Sequence, residues 1–391
     1  MSVALEIVQT WDEPFFADFV SVRNQMYQKK FGAVNESIED IAVLLKEGMS
    51  FEKAYSWQAA ILREDGRAIA RALICWKDGE DVFNLGFFEC PNDKELFSLF
   101  YIQIESMARS EGAKDIKWPV NGNFYHSYRI QKSGDPHELG PCAVYHEYYH
   151  ELFASKGYKI IRQWENMRRP FEDLAQEQES ANAYLSKKYE AYRNLKIRHV
   201  DMSRYEDEMR TVFELMNRSF SYMDDYEAIE FKEFYESYKA YRPILDPGLI
   251  SIGEYHGEAI SFCLSFKDYK PSLYLRDRIR RLPIPKLVRN KISDLVFYAH
   301  YKLSNQKILV CYLGKIEDDP SKAVKGLWVA HSYDLVKYLQ SKNYKQDIYY
   351  VLVEESSPIR PQIEKTSTVY STMQLYGKSI VAKKQESNDG N

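Results

Sequence analysis

The sequence predicts an α/β chain of two blocks, each a mixed sheet with helices on both faces. Three observations predict it. Strand-like and helix-like patterns alternate along the chain. The same element order, strand, helices, hairpin, strand, helix, strand, occurs twice. A charged segment rich in helix formers, rather than a Gly/Ser linker, separates the two runs. The blocks are read as residues 1–170 and 195–380, with a helical connector at 171–194 and a polar tail at 381–391 expected to be disordered.

In the first block Val3 to Gln9 alternates as a strand and Phe15 to Tyr27 has helical spacing. Trp57 to Arg63 and Ala68 to Trp76 flank Glu64-Asp65-Gly66-Arg67, a hairpin turn. Val82 to Glu89 is the next strand. A helix follows, with Asn92 as N-cap and Glu95 completing a capping box, and Phe97, Phe100, Tyr101, Ile104 and Ala108 on one face. Ile116 to Val120, a helix over His146 to Lys156, and Tyr158 to Met167 complete the block. The second block repeats the order. Its strand is Leu195 to Val200 and its helix Glu206 to Phe220. A hairpin turns at His256-Gly257, and Lys307 to Leu313 is the central strand. A helix over Lys325 to Lys342 and the strands Ile348 to Glu354 and Val369 to Tyr376 follow.

With 391 residues the chain can bury two cores. Its 45% hydrophobic and 28% charged content is that of a globular protein. A net charge of −4 supplies no global field for nucleic acid, so that class of partner is not expected. Five cysteines without a CxxC pair read as reduced, buried thiols. His146 and His150 are one helical turn apart but lack a third ligand, so no metal is expected. There is no secretory signal and no apolar run long enough for a membrane helix, so the expected location is the cytoplasm.

The strand–loop–helix Cys311-Tyr-Leu-Gly-Lys-Ile-Glu-Asp-Asp-Pro320-Ser-Lys322-Ala-Val-Lys325-Gly326-Leu-Trp328, in this element order, resembles the GNAT superfamily of N-acetyltransferases. The whole chain, through Gly86-Phe-Phe-Glu89, Trp118-Pro119-Val-Asn121, Tyr148-Tyr149 and Tyr350-Val-Leu-Val-Glu354, resembles bacterial tandem GNAT-like proteins. The resemblance implies tandem acyl-CoA N-acyltransferase domains. Acetyl-CoA or a longer acyl-CoA would be held in the second by Leu313, Gly314, Lys322, Lys325 and Gly326, through loop amides and a helix dipole. Lys325 stands where the family has its first glycine. In the first block the corresponding Cys90-Pro-Asn-Asp-Lys has no glycine and reads as structural.

The family also implies catalytic candidates. Glu89, at the end of a central strand, is placed as a general base. Tyr148 or Tyr149 would protonate the leaving thiolate, and Glu354 or Glu355 would reach the acceptor amine. The acceptor is expected to be a small amine, with Tyr222 to Tyr241 supplying an acidic, aromatic lining. Two other readings stand beside this one: a scaffold that has lost catalysis, and an aminoacyl-tRNA-dependent transferase, whose long helical-hairpin arm is not evident. The basic insert Leu273 to Lys291, broken by Pro283 and Pro285, reads as a solvated face, a lid over the coenzyme phosphates, or a contact to anionic lipid or nucleic acid.

Overall fold

The computed structural model describes residues 2–27, 36–122, 126, 128–133, 139, 142, 145–173, 179, 182–183, 194–221, 223, 226–239, 241–304, 307–316 and 326–381. Lys322, Lys325, most of the connector and nearly all of the tail lie outside them.

The first run comprises β1 (Val3–Val8), α1 (Glu13–Tyr27), α2 (Ile38–Leu45), α3 (Ser50–Ala54), β2 (Ser56–Glu64), β3 (Arg67–Trp76), β4 (Val82–Glu89), α4 (Lys94–Ser110), β5 (Asp115–Trp118), β6 (Ile130–Ser133), α5 (Tyr148–Ser155) and β7 (Lys159–Arg169). The second comprises β8 (Leu195–His199), α6 (Tyr205–Phe220), α7 (Phe231–Lys239), β9 (Ile250–Tyr255), β10 (Glu258–Lys267), α8 (Lys270–Arg280), α9 (Lys286–Leu303), β11 (Ile308–Lys315), α10 (Leu327–Ser341), β12 (Ile348–Glu354), α11 (Arg360–Ile363) and β13 (Thr368–Ser379).

Local chemistry explains the turns. Asp65 and Gly66 have φ of 46° and 82°, and His256 and Gly257 have 50° and 85°. Two successive positive φ angles match the twist of flanking strands, so both hairpins close with two residues. The α4 start differs from expectation: Asp93, not Asn92, is the N-cap. Its Oδ1 accepts from Glu95 N at 2.9 Å and Leu96 N at 3.0 Å. An ionised carboxylate satisfies two orphan amides and meets the helix dipole, which an amide does less well. The predicted α4 face is buried as read.

All strands join one sheet, ordered β1-β2-β3-β4-β5-β13-β7-β12-β11-β10-β9-β8, with β6 pairing β13. The final strands are exchanged. β13 pairs antiparallel with β5, Tyr376 opposite Trp118, and β7 pairs antiparallel with β12, Ile348 opposite Arg169. The last strand of the first run therefore lies against β12 of the second, and the last strand of the second against β5 and β6 of the first. A central cluster including Trp164, Leu309, Tyr349 and Met373 packs across the junction.

The insert between β10 and β11 is a helical hairpin, α8–α9, which the sequence reading missed. Pro283 and Pro285 form its turn instead of breaking the insert. It joins the beginning of β11, whereas the loop to α10 leaves the end of that strand, eight residues on. At about 3.3 Å per residue that is about 26 Å. The loop over which the insert is read as a lid, residues 317–325, lies outside the described residues.

Candidate functional site

In each half two parallel strands separate, and the halves treat the opening differently. In the first half β4 and β5 pair only from Val82–Asp115 to Asn84–Lys117. Beyond that the chain after β5 closes the opening. Val120 N donates to Leu85 O at 2.9 Å, and Phe87 N, at φ 47°, donates to Asn121 Oδ1 at 2.6 Å. Asn121 Nδ2 donates to Tyr145 Oη at 2.9 Å. Gly86 permits the approach, because a Cβ there would lie 2.0 Å from Val120 O. The α4 N-terminus beside the opening is already occupied by Asp93.

The same place gathers Glu89, Tyr148 and Tyr149. Glu89 is fully buried and ion-paired to Arg23. It accepts from Tyr149 Oη at 2.8 Å and from Tyr27 Oη at 3.1 Å. Burial pushes its carboxyl above the ordinary range, against the pull of the Arg23 and Arg71 charges. Tyr149 Oη also accepts from Cys90 N at 2.8 Å, and Tyr148 Oη donates to Cys90 O at 2.8 Å. Burial raises both phenols above their usual range. The two tyrosines thus bind α5 to the β4–α4 turn. His150, on the same helix, contacts Tyr376 Oη and Gln131 O, each at 2.8 Å.

In the second half β11 and β12 pair from Ile308–Ile348 to Val310–Tyr350 and then diverge. The register of β10 against β11 skips Cys311, so β11 is bulged there. Leu352 on β12 has φ 58°, and its N donates to Asn166 Oδ1 at 2.8 Å. At this divergence opens a cavity of about 880 Å³, lined on the sheet side by Leu264, Ser265, Cys311, Tyr312 and Leu352. Its other walls include Met49 and Ser50 at the start of α3, Tyr238 in the last turn of α7 and Tyr241 just beyond it, and Tyr301 from α9. The predicted segment around α7 does line it. The lining is mixed in charge rather than acidic, since Lys53 and Lys232 stand among Glu230, Glu233 and Glu236.

Arg129 lines the cavity between the halves. Its guanidinium lies 3.5 Å from the Tyr128 ring centroid and 4.4 Å from that of Trp164. It is hydrogen-bonded to the Tyr128 hydroxyl, while its Nε is buried without a partner. No carboxylate pairs with it among the described residues, and burial lowers its pKa. Sequence reasoning missed it: the segment around it has no periodicity, and one arginine there looks like any surface cation. The bulge at Cys311 and the turn at Leu352 left no sequence signal either.

Gly326 is the N-cap of α10, with φ 88°, a value that favours glycine. No acidic residue stands in the first turn of that helix. Gly314 is positioned for packing, because a Cβ there would lie 2.4 Å from the Phe262 ring and 2.9 Å from Ser219 Oγ. Leu313 packs on the cluster that holds Leu335 and Leu339. Glu354 Oε1 accepts from Arg162 Nη2 at 2.7 Å and Nε at 3.0 Å, and Glu355 is exposed. The structure therefore brings Glu89, Tyr148 and Tyr149 together in one half, apart from the second-half candidates.

His331 fixes α10 to the sheet. Its Nδ1 is 2.7 Å from Ser251 Oγ and its Nε2 2.9 Å from Ser261 Oγ, fully buried. Burial brings its pKa down from 6.5 to about 4. Between those values the unfolded chain binds a proton that the folded chain refuses. Stability should therefore fall as pH drops through that window, by about 3 kcal/mol in all. Urea unfolding of His331→Gln from pH 7 to pH 4 is expected to show a shallower loss than the parent chain; equal slopes would contradict the assignment.

No protein-family model and no curated protein matches this sequence. Solved structures do. A tandem GNAT protein from the clavulanic acid biosynthesis pathway is 8% identical, with 98% of this chain and 100% of that chain covered and a TM-score of 0.53. A GCN5-related N-acetyltransferase from Sphaerobacter thermophilus is 11% identical, covering 97% and 96%, at 0.45. One from Anabaena variabilis is 9% identical, covering 97% and 73%, at 0.47. At such identities the likeness is one of fold, and the chain has the tandem GNAT fold.

Proposed function

We propose that the chain is an acyl-CoA-dependent N-acyltransferase whose second half holds the donor and whose cavity takes a small amine acceptor. One contrast carries this reading. The strand opening of the first half is closed by its own backbone beside an Asp-capped helix, whereas that of the second half meets a cavity. A helix start without an acidic cap suits an anionic diphosphate, and divergent strands leave backbone groups for a pantetheine arm.

In this reading the amides at Gly326 and the first turn of α10, with Lys322 and Lys325, hold the coenzyme phosphates. The bound donor supplies an acyl group activated as a thioester. Apolar walls of the cavity exclude water and strengthen each polar contact inside. Arg129, stacked on two aromatic rings, fixes an anionic group of the acceptor and so orients its amine. Glu89, Tyr148 and Tyr149 hold the closed half together, and Glu354 or Glu355 remains the candidate to receive the amine proton.

Isothermal titration with acetyl-CoA and longer acyl-CoA tests the reading. Binding is expected, weakened about tenfold or more by joint Lys322→Ala and Lys325→Ala, since a charged hydrogen bond contributes about 1.5–3 kcal/mol. Asp93→Ala should leave it unchanged. Absence of heat with every thioester would overturn the proposal. Arg129→Gln is expected to raise the acceptor KM with donor affinity preserved.

A further inference from the structure

The α8–α9 hairpin has a surface that the transferase reading does not use. Its inner side is packed: Ser293, Phe297 and Tyr301 are buried, Arg276 lies 5.5 Å from the Phe297 ring centroid, and Ser272 Oγ is 2.9 Å from His300 Nδ1. On the opposite side of α9, Val288, Ile292, Leu295 and Leu303 follow one another at helical spacing. They are 48%, 42%, 69% and 86% exposed. Leu287 at 72% and Leu282 at 47% extend the patch. A solvated helix turns polar residues outward; here the outward stripe is apolar.

Charge is concentrated on the same hairpin. Residues 270–304 hold nine Lys or Arg and two Asp, a net +7, in a chain whose net charge is −4. Asp294 is 2.9 Å from Arg280 Nη2, and Asp277 is buried. Lys286, Lys291 and Lys302 are exposed among or beside the apolar residues.

We propose that this hairpin docks the protein on an anionic lipid bilayer, with the α9 stripe at the headgroup–acyl boundary and the lysines and arginines among the lipid phosphates. An anionic bilayer satisfies both features at once. Nucleic acid would use the charge and leave the leucines in water. A second copy would cover the leucines but bring two strongly positive surfaces together. Among the described residues no helix is long and apolar enough to cross a membrane, so the hairpin lies on the surface. Tyr301, on the inner face of α9, also lines the cavity, which places the cavity directly behind the docking face.

Co-sedimentation of the full chain with vesicles of pure phosphatidylglycerol and of pure phosphatidylcholine tests this. Binding to the first is expected to be at least about tenfold tighter than to the second, with most of that advantage lost near 1 M salt, where the Debye length is about 3 Å. Joint Leu287→Asn and Leu295→Asn should weaken phosphatidylglycerol binding by about tenfold or more at unchanged charge. The melting temperature should hold, because both side chains are exposed. Joint Arg278→Gln and Lys291→Gln should weaken it independently. Failure to sediment with phosphatidylglycerol vesicles overturns the proposal, as does equal binding to both lipids. If binding is absent and ultracentrifugation finds a dimer that Leu295→Asn dissociates, the patch is a self-association surface. If binding is absent and filters retain tRNA in a way that depends on Arg278 and Lys291 but not on the leucines, it is a nucleic-acid surface.

Discussion

Replacing Glu89 by alanine is expected to cost the fold about 3–5 kcal/mol in urea unfolding. Removing one member of a buried ion pair strands the charge of the other. Arg23, whose side chain is 18% exposed, would lose its ion pair with the fully buried Glu89, and the Tyr27 and Tyr149 hydroxyls would lose an acceptor at 3.1 and 2.8 Å. Tyr149 also fastens Cys90 N, so the loss should spread to the β4–α4 turn. The double change Arg23→Met with Glu89→Leu should be less destabilising than the sum of the single changes, since the stranded charge disappears with its partner. A freely available general base would behave otherwise: its removal would abolish turnover and leave the urea midpoint in place.

Gly86→Ala is expected to destabilise by about 3 kcal/mol or more, as overpacking against fixed backbone does. The added Cβ would lie 2.0 Å from Val120 O, 2.7 Å from Val120 C and 2.9 Å from Asn121 Cα, all main-chain atoms that no rotamer change can move. Gly377→Ala is the control. There the nearest atom is Ile161 Cγ2 at 2.9 Å, on a side chain 46% exposed, which can swing away. A cost below about 1 kcal/mol is expected for it in the same unfolding experiment. If Gly86→Ala were equally mild, the closure of the first-half opening by residues 120–121 would be looser than the geometry requires.

Much of the fold was legible because it is local. Both two-residue hairpins followed from Asp65-Gly66 and His256-Gly257, and the buried face of α4 followed from its 3.6-residue period. The three motifs Gly86 to Glu89, Trp118 to Asn121 and Tyr148-Tyr149 proved to be neighbours. Their meaning was less legible: the family resemblance offered Glu89 as a general base and Tyr148 or Tyr149 as an acid, and the structure buries Glu89 and Tyr149 in a hydrogen-bonded group that Tyr148 joins through Cys90 O. The insert was misread because two prolines within three residues resemble a break, whereas between two helices they make the turn.

The sequence by itself indicated the main strands and helices of both runs and their repeated order, and carried the resemblance to tandem GNAT-like proteins; it did not indicate α2, α3, β6 or the α8–α9 hairpin. Only the tertiary structure decided that β7 and β13 change places, that the first opening is closed while the second meets a cavity, and that Arg129 reaches it. The physical reason is that periodicity reports which face of an element is buried, a property of a few consecutive residues. Which strand lies beside it, and what fills the space between diverging strands, depend on residues far off in the chain, 34 positions apart for Phe87 and Asn121 and 179 apart for Arg169 and Ile348, and no local pattern encodes them.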